Sequence, residues 1–227
     1  MAHGDSPRQL ALALDHMESF AREDFLGGPP NAAALALVEN WPDWPDRIVA
    51  LVGPEGSGKS HLAAIWSKAS GARLVAARSL GDVDLPAALA TGALVIEDAA
   101  EGAFDERALF HLLNLTREDR AFVLLTARTA PSSWRVETRD LASRLKALPV
   151  VTLASPDDDM LRAVLVKLFS DRQLGVDENL IGYVARRIER SFAAAREVVA
   201  QLDRESIQQG RPLTRALAGD ILRQSPP

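Results

Sequence analysis

Gly53-Pro54-Glu55-Gly56-Ser57-Gly58-Lys59-Ser60 fits the pattern G-x-x-x-x-G-K-[ST] in full. Its glycines let the chain turn tightly, so that successive backbone N–H groups point inward and can hold phosphate oxygens. Ile48–Val52 before it reads as a buried strand, and His61-Leu62-Ala63-Ala64-Ile65-Trp66 after it reads as a helix. A helix starting at the loop adds its partial positive charge to the same place. Lys59 supplies a point charge for the β- and γ-phosphates, and the Ser60 hydroxyl is a ligand for Mg²⁺. Gly53 through His61 are therefore the candidate contacts for ADP or ATP with Mg²⁺, while the His61 ring itself is expected to pack or face solvent.

Two more strand ends carry polar groups. Ala93-Leu94-Val95-Ile96-Glu97-Asp98 is a hydrophobic run ending in two carboxylates. Beside a phosphate loop, one such acid holds the Mg²⁺ shell through water and its neighbour polarises an attacking water. Glu97 stands where Asp is usual, and its extra methylene changes how the metal is reached. Phe122-Val123-Leu124-Leu125-Thr126-Ala127-Arg128 is another apolar strand, ending in Thr126 and Arg128, either of which can reach a γ-phosphate or water.

Short, nearly continuous apolar runs at Ile48–Val52, Leu74–Ala77, Leu94–Glu97, Phe122–Thr126 and Val150–Leu153 predict strands covered on both faces. Helix-length segments separate them: Lys59–Ala69, Leu85–Ala90, Asp105–Glu118 and Thr138–Leu145. That alternation predicts a parallel sheet with right-handed crossovers. A short helix is expected near Asn31–Glu39, and Trp41-Pro42-Asp43-Trp44-Pro45 cannot be regular, since each Pro removes a donor and restricts its predecessor. Beyond Ser155-Pro156 only helical spacing remains, as in Leu161, Val164, Leu165 and Leu168, so the fold class is α/β with a small all-helical C-terminal domain. The expected divisions are 1–22, 23–154 and 155–227.

The composition of the 227 residues excludes several functions. A formal charge of −5 gives no general positive field for gripping DNA. There is no cysteine, so disulfides, thiol nucleophiles and Cys-ligated zinc are absent. The 4 histidines show no metal-ligand spacing. No leader or membrane-length apolar stretch is evident, and a cytoplasmic protein is expected. Trp41, Trp44, Trp66 and Trp134 lack the basic interleaving of a nucleic-acid stacking surface. His111 is expected on a helix face, Asp157-Asp158-Asp159 as a helix cap, and Arg186, Arg187 and Arg190 on a solvated face.

A phosphate loop, a Glu-Asp strand end, a polar strand end and a helical C-terminal domain together resemble the AAA+ ATPases. The resemblance implies a five-stranded core with a helical lid, and places the sensor at Thr126 or Arg128. Asp140-Leu141-Ala142-Ser143-Arg144-Leu145 and Ser155-Pro156-Asp157 are similar to the DnaA initiator branch, whose Ser-Arg pair carries the arginine finger. Ser191-Phe192-Ala193-Ala194-Ala195-Arg196-Glu197 resembles the lid helix bearing its sensor-2 arginine, and Phe25-Leu26-Gly27 with Asn31-Ala32 the stretch ahead of its phosphate loop.

The sequence ends soon after the lid, so no duplex-reading helix-turn-helix domain is expected. It also carries Gln9-Leu10-Ala11-Leu12-Ala13-Leu14, which resembles the motif that docks into the bacterial DNA polymerase sliding clamp, through Gln9, Leu10, Leu12 and Leu14. This combination is similar to the Hda family (its HdaA-type branch), DnaA-related regulators that act with the clamp to make DnaA hydrolyse its ATP. The resemblance implies Arg144 as a finger acting in trans, Arg196 on the protein's own nucleotide, and weak or no ATPase of its own. Partners would be the clamp and the DnaA AAA+ domain, with homo-oligomerisation open. An ATP-driven loader-type ATPase and a non-catalytic module bridging DnaA and clamp stay open as alternatives. A small-molecule kinase is weakened by the helical C-terminal domain and the lack of an acceptor site.

Overall fold

The structure is a computed structural model that describes residues 20–224. The clamp-like hexapeptide Gln9–Leu14 lies outside the described residues. From residue 20 to Pro156 the chain forms one unit, and from Asp157 onward another.

In the first unit, β1 (Ile48–Val52), β2 (Arg73–Ala76), β3 (Ala93–Ala99), β4 (Phe122–Ala127) and β5 (Val150–Thr152) form a sheet in the order β2-β3-β4-β1-β5. Every pairing is parallel. β1, β3 and β4 are legible as continuous apolar runs because both faces are covered, whereas the edge strands β2 and β5 leave Leu74 and Val150 exposed, against the expectation of cover on both faces. Side chains alternate between faces along each strand. Ile48, Ala50 and Val52 of β1, with Leu94 and Ile96 of β3, pack under α3 (Leu85–Ala88), α4 (Glu106–Glu118) and α5 (Arg139–Ala147). Val49, Leu51, Val95 and Leu124 face the other way, against α1 (Ala32–Glu39) and α2 (Lys59–Ser70).

Boundaries shift slightly from those expected. β3 runs two residues past Glu97, because a bulge carries it on to Ala99. The segment Ala77–Asp82, not expected to be regular, makes a 3-10 turn that buries Leu80. The Trp-Pro segment is irregular as expected. Its Trp44 stacks on Trp66 with ring centroids 4.8 Å apart, and Trp44 Nε1 donates to the Leu37 carbonyl at 2.7 Å.

The second unit consists of α6 (Asp158–Asp171), α7 (Glu178–Ala185), α8 (Phe192–Gln209) and α9 (Arg215–Gln224). Each starts at a side chain that accepts from a free N–H of its first turn: Asp157 from Met160, Asp177 from Leu180, Ser191 from Ala194 and Thr214 from Leu217. Leu161, Leu165 and Phe169 form the inward face of α6 and pack with Val184, Val199, Leu202 and Ala218. Among the described residues, no helix is long and apolar enough to cross a membrane.

Candidate functional site

The strand order decides what meets at the carboxyl end of the sheet. β4 lies between β1 and β3, so the phosphate loop after β1, Thr126 and Arg128 at the end of β4, and the acids of β3 come side by side.

The loop is held by backbone geometry. Gly53 N–H donates to the Ala127 carbonyl at 3.1 Å, which ties the loop to β4. A Cβ on Gly53 would lie 2.5 Å from the Leu153 carbonyl oxygen, so only glycine fits between β1 and the chain leaving β5. Gly58, at φ 98°, turns the chain into α2, a conformation that side chains resist. The Ser57 hydroxyl is buried and without a partner among the described residues. A buried orphan hydroxyl in a phosphate-loop sequence is a place where a phosphate oxygen fits.

Lys59 begins α2 and is buried. Its ammonium donates to the Gly53 carbonyl at 2.8 Å and the Pro54 carbonyl at 2.6 Å. An ammonium has three protons, so one is left for a ligand. Burial pushes the Lys59 pKa down, opposed by Asp98, assisted by Arg128 and opposed by Glu55. All these charges therefore act on one ammonium.

Across the site, burial raises the pKa of Glu97; a hydrogen bond from the Ser60 hydroxyl lowers it and neighbouring Asp98 raises it. Ser60 and Glu97, the pair that the sequence proposed around Mg²⁺, therefore influence one another across the site. The site offers hydroxyl and carboxylate oxygens, a hard donor set suited to that ion. The bulge in β3 explains how Glu97 and Asp98 are both presented. Ile96 pairs with Leu125 and Ala99 with Ala127, so Glu97 and Asp98 share the span that Thr126 alone covers. Asp98 takes φ 54°, and its N–H donates to the buried Thr126 hydroxyl at 3.1 Å. Bulges beside sites re-aim side chains in this way.

Arg128 is exposed and pairs with Glu55 at 2.7 Å. The sequence singled out each residue separately but not the pair. They lie on different strand ends, and only the strand order brings them together. His61 turns away from the loop: its ring meets Phe20 and Phe25 edge-on at 5.4 and 5.2 Å, and its Nε2 is 2.9 Å from the Ala21 carbonyl. Its side chain packs, as expected, which leaves only its backbone for the loop.

Arg144 is half-buried on α5. Its Nη1 donates to Asn114 Oδ1 at 2.5 Å, and its guanidinium sits 4.5 Å from the centre of the Phe110 ring. Phe110 and Asn114 are one turn apart on α4, so they form one side of its surface. Arg144 is thus engaged by a contact across two helices of its own unit. Arg196 is half-buried on α8 in the second unit. In the same unit Arg187 lies over the Tyr183 ring at 3.7 Å and Arg190 pairs with Asp158 at 2.9 Å, so this basic cluster is partly spent on internal contacts.

No family model matches the chain. A Haemophilus influenzae protein described as an uncharacterized protein is 24% identical over 230 residues, covering 95% of this chain and 98% of its own length. Among solved structures, domain III of the Thermotoga maritima replication initiation protein DnaA superposes with a TM-score of 0.73 at 18% identity, covering 90% of this chain and 96% of that one. AMPPCP-bound DnaA from Aquifex aeolicus gives 0.66 at 18% identity, covering 81% of this chain and 64% of that one. The Thermotoga maritima RuvB Holliday junction branch migration motor gives 0.70 at 17% identity, covering 91% and 72%. What these structures share with the chain is the fold: an α/β core with a five-stranded parallel sheet, followed by a helical C-terminal part.

Proposed function

We propose that this chain is an ADP/ATP-binding regulator of DNA replication initiation that acts on DnaA together with the sliding clamp. The observation that carries the nucleotide part is the convergence of the Gly53–Ser60 loop, the Lys59 ammonium and the Ser60–Glu97 pair at one end of the sheet. Backbone N–H groups and Lys59 bind the phosphates, Ser60 and Glu97 hold Mg²⁺, and Asp98 and Thr126 orient water or phosphate beside it. Bound nucleotide supplies the anionic charge that these groups are arranged to neutralise.

The regulatory part rests on resemblance to the Hda family and on a fold shared with DnaA domain III. In this reading Arg196 contacts the protein's own nucleotide from the lid, Gln9–Leu14 docks in the clamp, and Arg144 reaches the γ-phosphate held by DnaA. A guanidinium delivered in trans is worth about 10³–10⁵ in hydrolysis rate. One observation favours a second reading, a non-catalytic bridge between DnaA and clamp: Arg144 is already held by Asn114 and Phe110 of its own domain.

Reconstitution tests the proposal. DnaA carrying labelled ATP, DNA-loaded clamp and this protein with ADP are combined, and conversion to ADP is followed. The regulator reading expects acceleration that requires clamp and is lost on deleting Gln9–Leu14. Lys59→Ala should abolish nucleotide binding by the chain itself. Strong turnover of ATP without DnaA or clamp would instead make it a loader-type ATPase.

A further inference from the structure

The second unit carries positive charge that its own carboxylates do not neutralise. Arg187, just beyond α7, has its guanidinium 3.7 Å from the centre of the Tyr183 ring, and Arg215, which opens α9, has its own 5.1 Å from the same centre. Both arginines are exposed, while Tyr183 is only 9% exposed. The ring is held by α9: a Cβ on Gly219 would come 2.9 Å from its hydroxyl, so the phenol rests against bare backbone. Among the described residues neither arginine has a carboxylate at ion-pair distance; Asp158 is taken by Arg190 and Asp220 by Arg223. Stacking leaves each charge intact and keeps two like charges beside one ring. Arg215 also stands in the first turn of α9, where a cation opposes the helix dipole. An external anion relieves both conflicts.

We infer that Arg187 and Arg215, with the exposed Arg186 next to them in the chain, form a contact surface for the phosphate backbone of duplex DNA. A planar guanidinium matches phosphate oxygens two at a time, and stacking on a fixed ring orients it in advance. The surface does not fit an acidic protein, because protein interfaces have an apolar centre. The exposed large apolar side chains described in this unit are Val166 on α6 and Ile207 on α8, none of them on α7 or α9. Nor does it fit a single strand, because the covered Tyr183 ring offers no face on which a base could stack. Backbone contact is blind to sequence, and here it works against a net charge of −5, so it is weak and salt-dependent. This surface goes beyond the nucleotide site and the regulator reading, and it depends on neither.

The experiment follows the fluorescence anisotropy of a labelled duplex of arbitrary sequence as the full chain is added, at salt concentrations from about 50 to 200 mM. Neither clamp nor DnaA is present, so the result is independent of the regulator reading. Wild type should bind with a Kd of about 10⁻⁴–10⁻⁶ M at physiological salt. Arg187→Gln/Arg215→Gln should weaken binding about 10-fold and lower the slope of log K against log salt by about 2, while lysine at both positions keeps the slope. Thermal melts accompany the titrations. If the glutamine pair melts early, the single variants replace it, each expected to lower the slope by about 1. Absence of duplex binding by wild type at the lowest salt overturns the inference. So does an equal loss in Arg73→Gln/Arg117→Gln, a control pair from the first unit, or tighter binding of a single strand than of the duplex. Displacement of the duplex by polyglutamate at equal charge overturns it too and assigns the surface to an acidic protein.

Discussion

The backbone N–H of Asp98 donates to the Thr126 hydroxyl at 3.1 Å, at the point where β3 and β4 fall out of register. Thr126 is buried, so this hydroxyl takes the place of a missing ladder partner. Thr126→Val keeps the shape and removes the acceptor, leaving a backbone donor unpaired. The expected cost is about 1–3 kcal/mol of unfolding free energy, read from urea titrations, with Thr126→Ser near wild type. The same variant should weaken Mg²⁺-nucleotide binding, because Asp98 is no longer held in its left-handed conformation.

Glu97 gives a pH dependence of definite sign. Burial raises its folded pKa above the ordinary 4.5. The folded state therefore binds the proton more tightly than the unfolded chain. Stability from this group is fully present below the unfolded pKa and is lost as pH rises through the folded one. Glu97→Gln should consequently be more stable than wild type at neutral pH and indistinguishable from it near pH 4 (about the unfolded pKa). Thermal melts across that range without nucleotide or Mg²⁺ measure it. A constant difference at all pH values would show that the carboxyl titrates as in water.

Much of this site was readable as strings of residues, and the reason is local. The loop, the strand before it and the helix after it are contiguous, so Gly53–Ser60 carried its own context. Both strand ends were legible because β3 and β4 are buried apolar runs that turn polar at their carboxyl ends, at Glu97-Asp98 and at Thr126. The bulge at Glu97-Asp98 was not, since it appears only when β3 is laid against β4. Glu55 and Arg128 likewise needed the strand order. Arg144 was found by resemblance, but its grip by Asn114 and Phe110 depends on how α4 and α5 pack, which neither helix encodes alone.

Arg144 and Asn114 together separate the two functional readings. If the arginine acts in trans, it must leave Asn114 and Phe110 to do so. Asn114→Ala removes the 2.5 Å hydrogen bond and frees the guanidinium. Clamp-dependent hydrolysis on DnaA should then be equal to or faster than wild type, while Arg144→Ala loses the stimulation by about 10³-fold. Arg144→Ala loses the ring contact, about 0.5–1 kcal/mol, and the hydrogen bond to Asn114, about 1.5–3 kcal/mol, so a thermal melt of the variant accompanies the assay. Undiminished stimulation by Arg144→Ala would favour the bridging role.

Lys59 and Gly53 should fail in different ways, which distinguishes binding chemistry from loop geometry. Lys59 carries the charge, its burial already disfavours the ammonium, and its hold on the backbone is confined to the Gly53 and Pro54 carbonyls of the loop itself. Lys59→Ala is expected to lose nucleotide affinity with unfolding stability kept or slightly raised. Gly53→Ala adds a single methyl group, leaves every charge in place, and drives that methyl to 2.5 Å from the Leu153 carbonyl oxygen. Relief requires β1 and the chain after β5 to separate, at a cost of about 1–3 kcal/mol. The separation also disturbs the Gly53 N–H bond to Ala127, and with it the loop's seat on β4. Gly53→Ala should therefore lose both stability and nucleotide binding in parallel calorimetric measurements. Unaltered stability in Gly53→Ala would mean that the loop is not clamped between β4 and β5 as the backbone distances require.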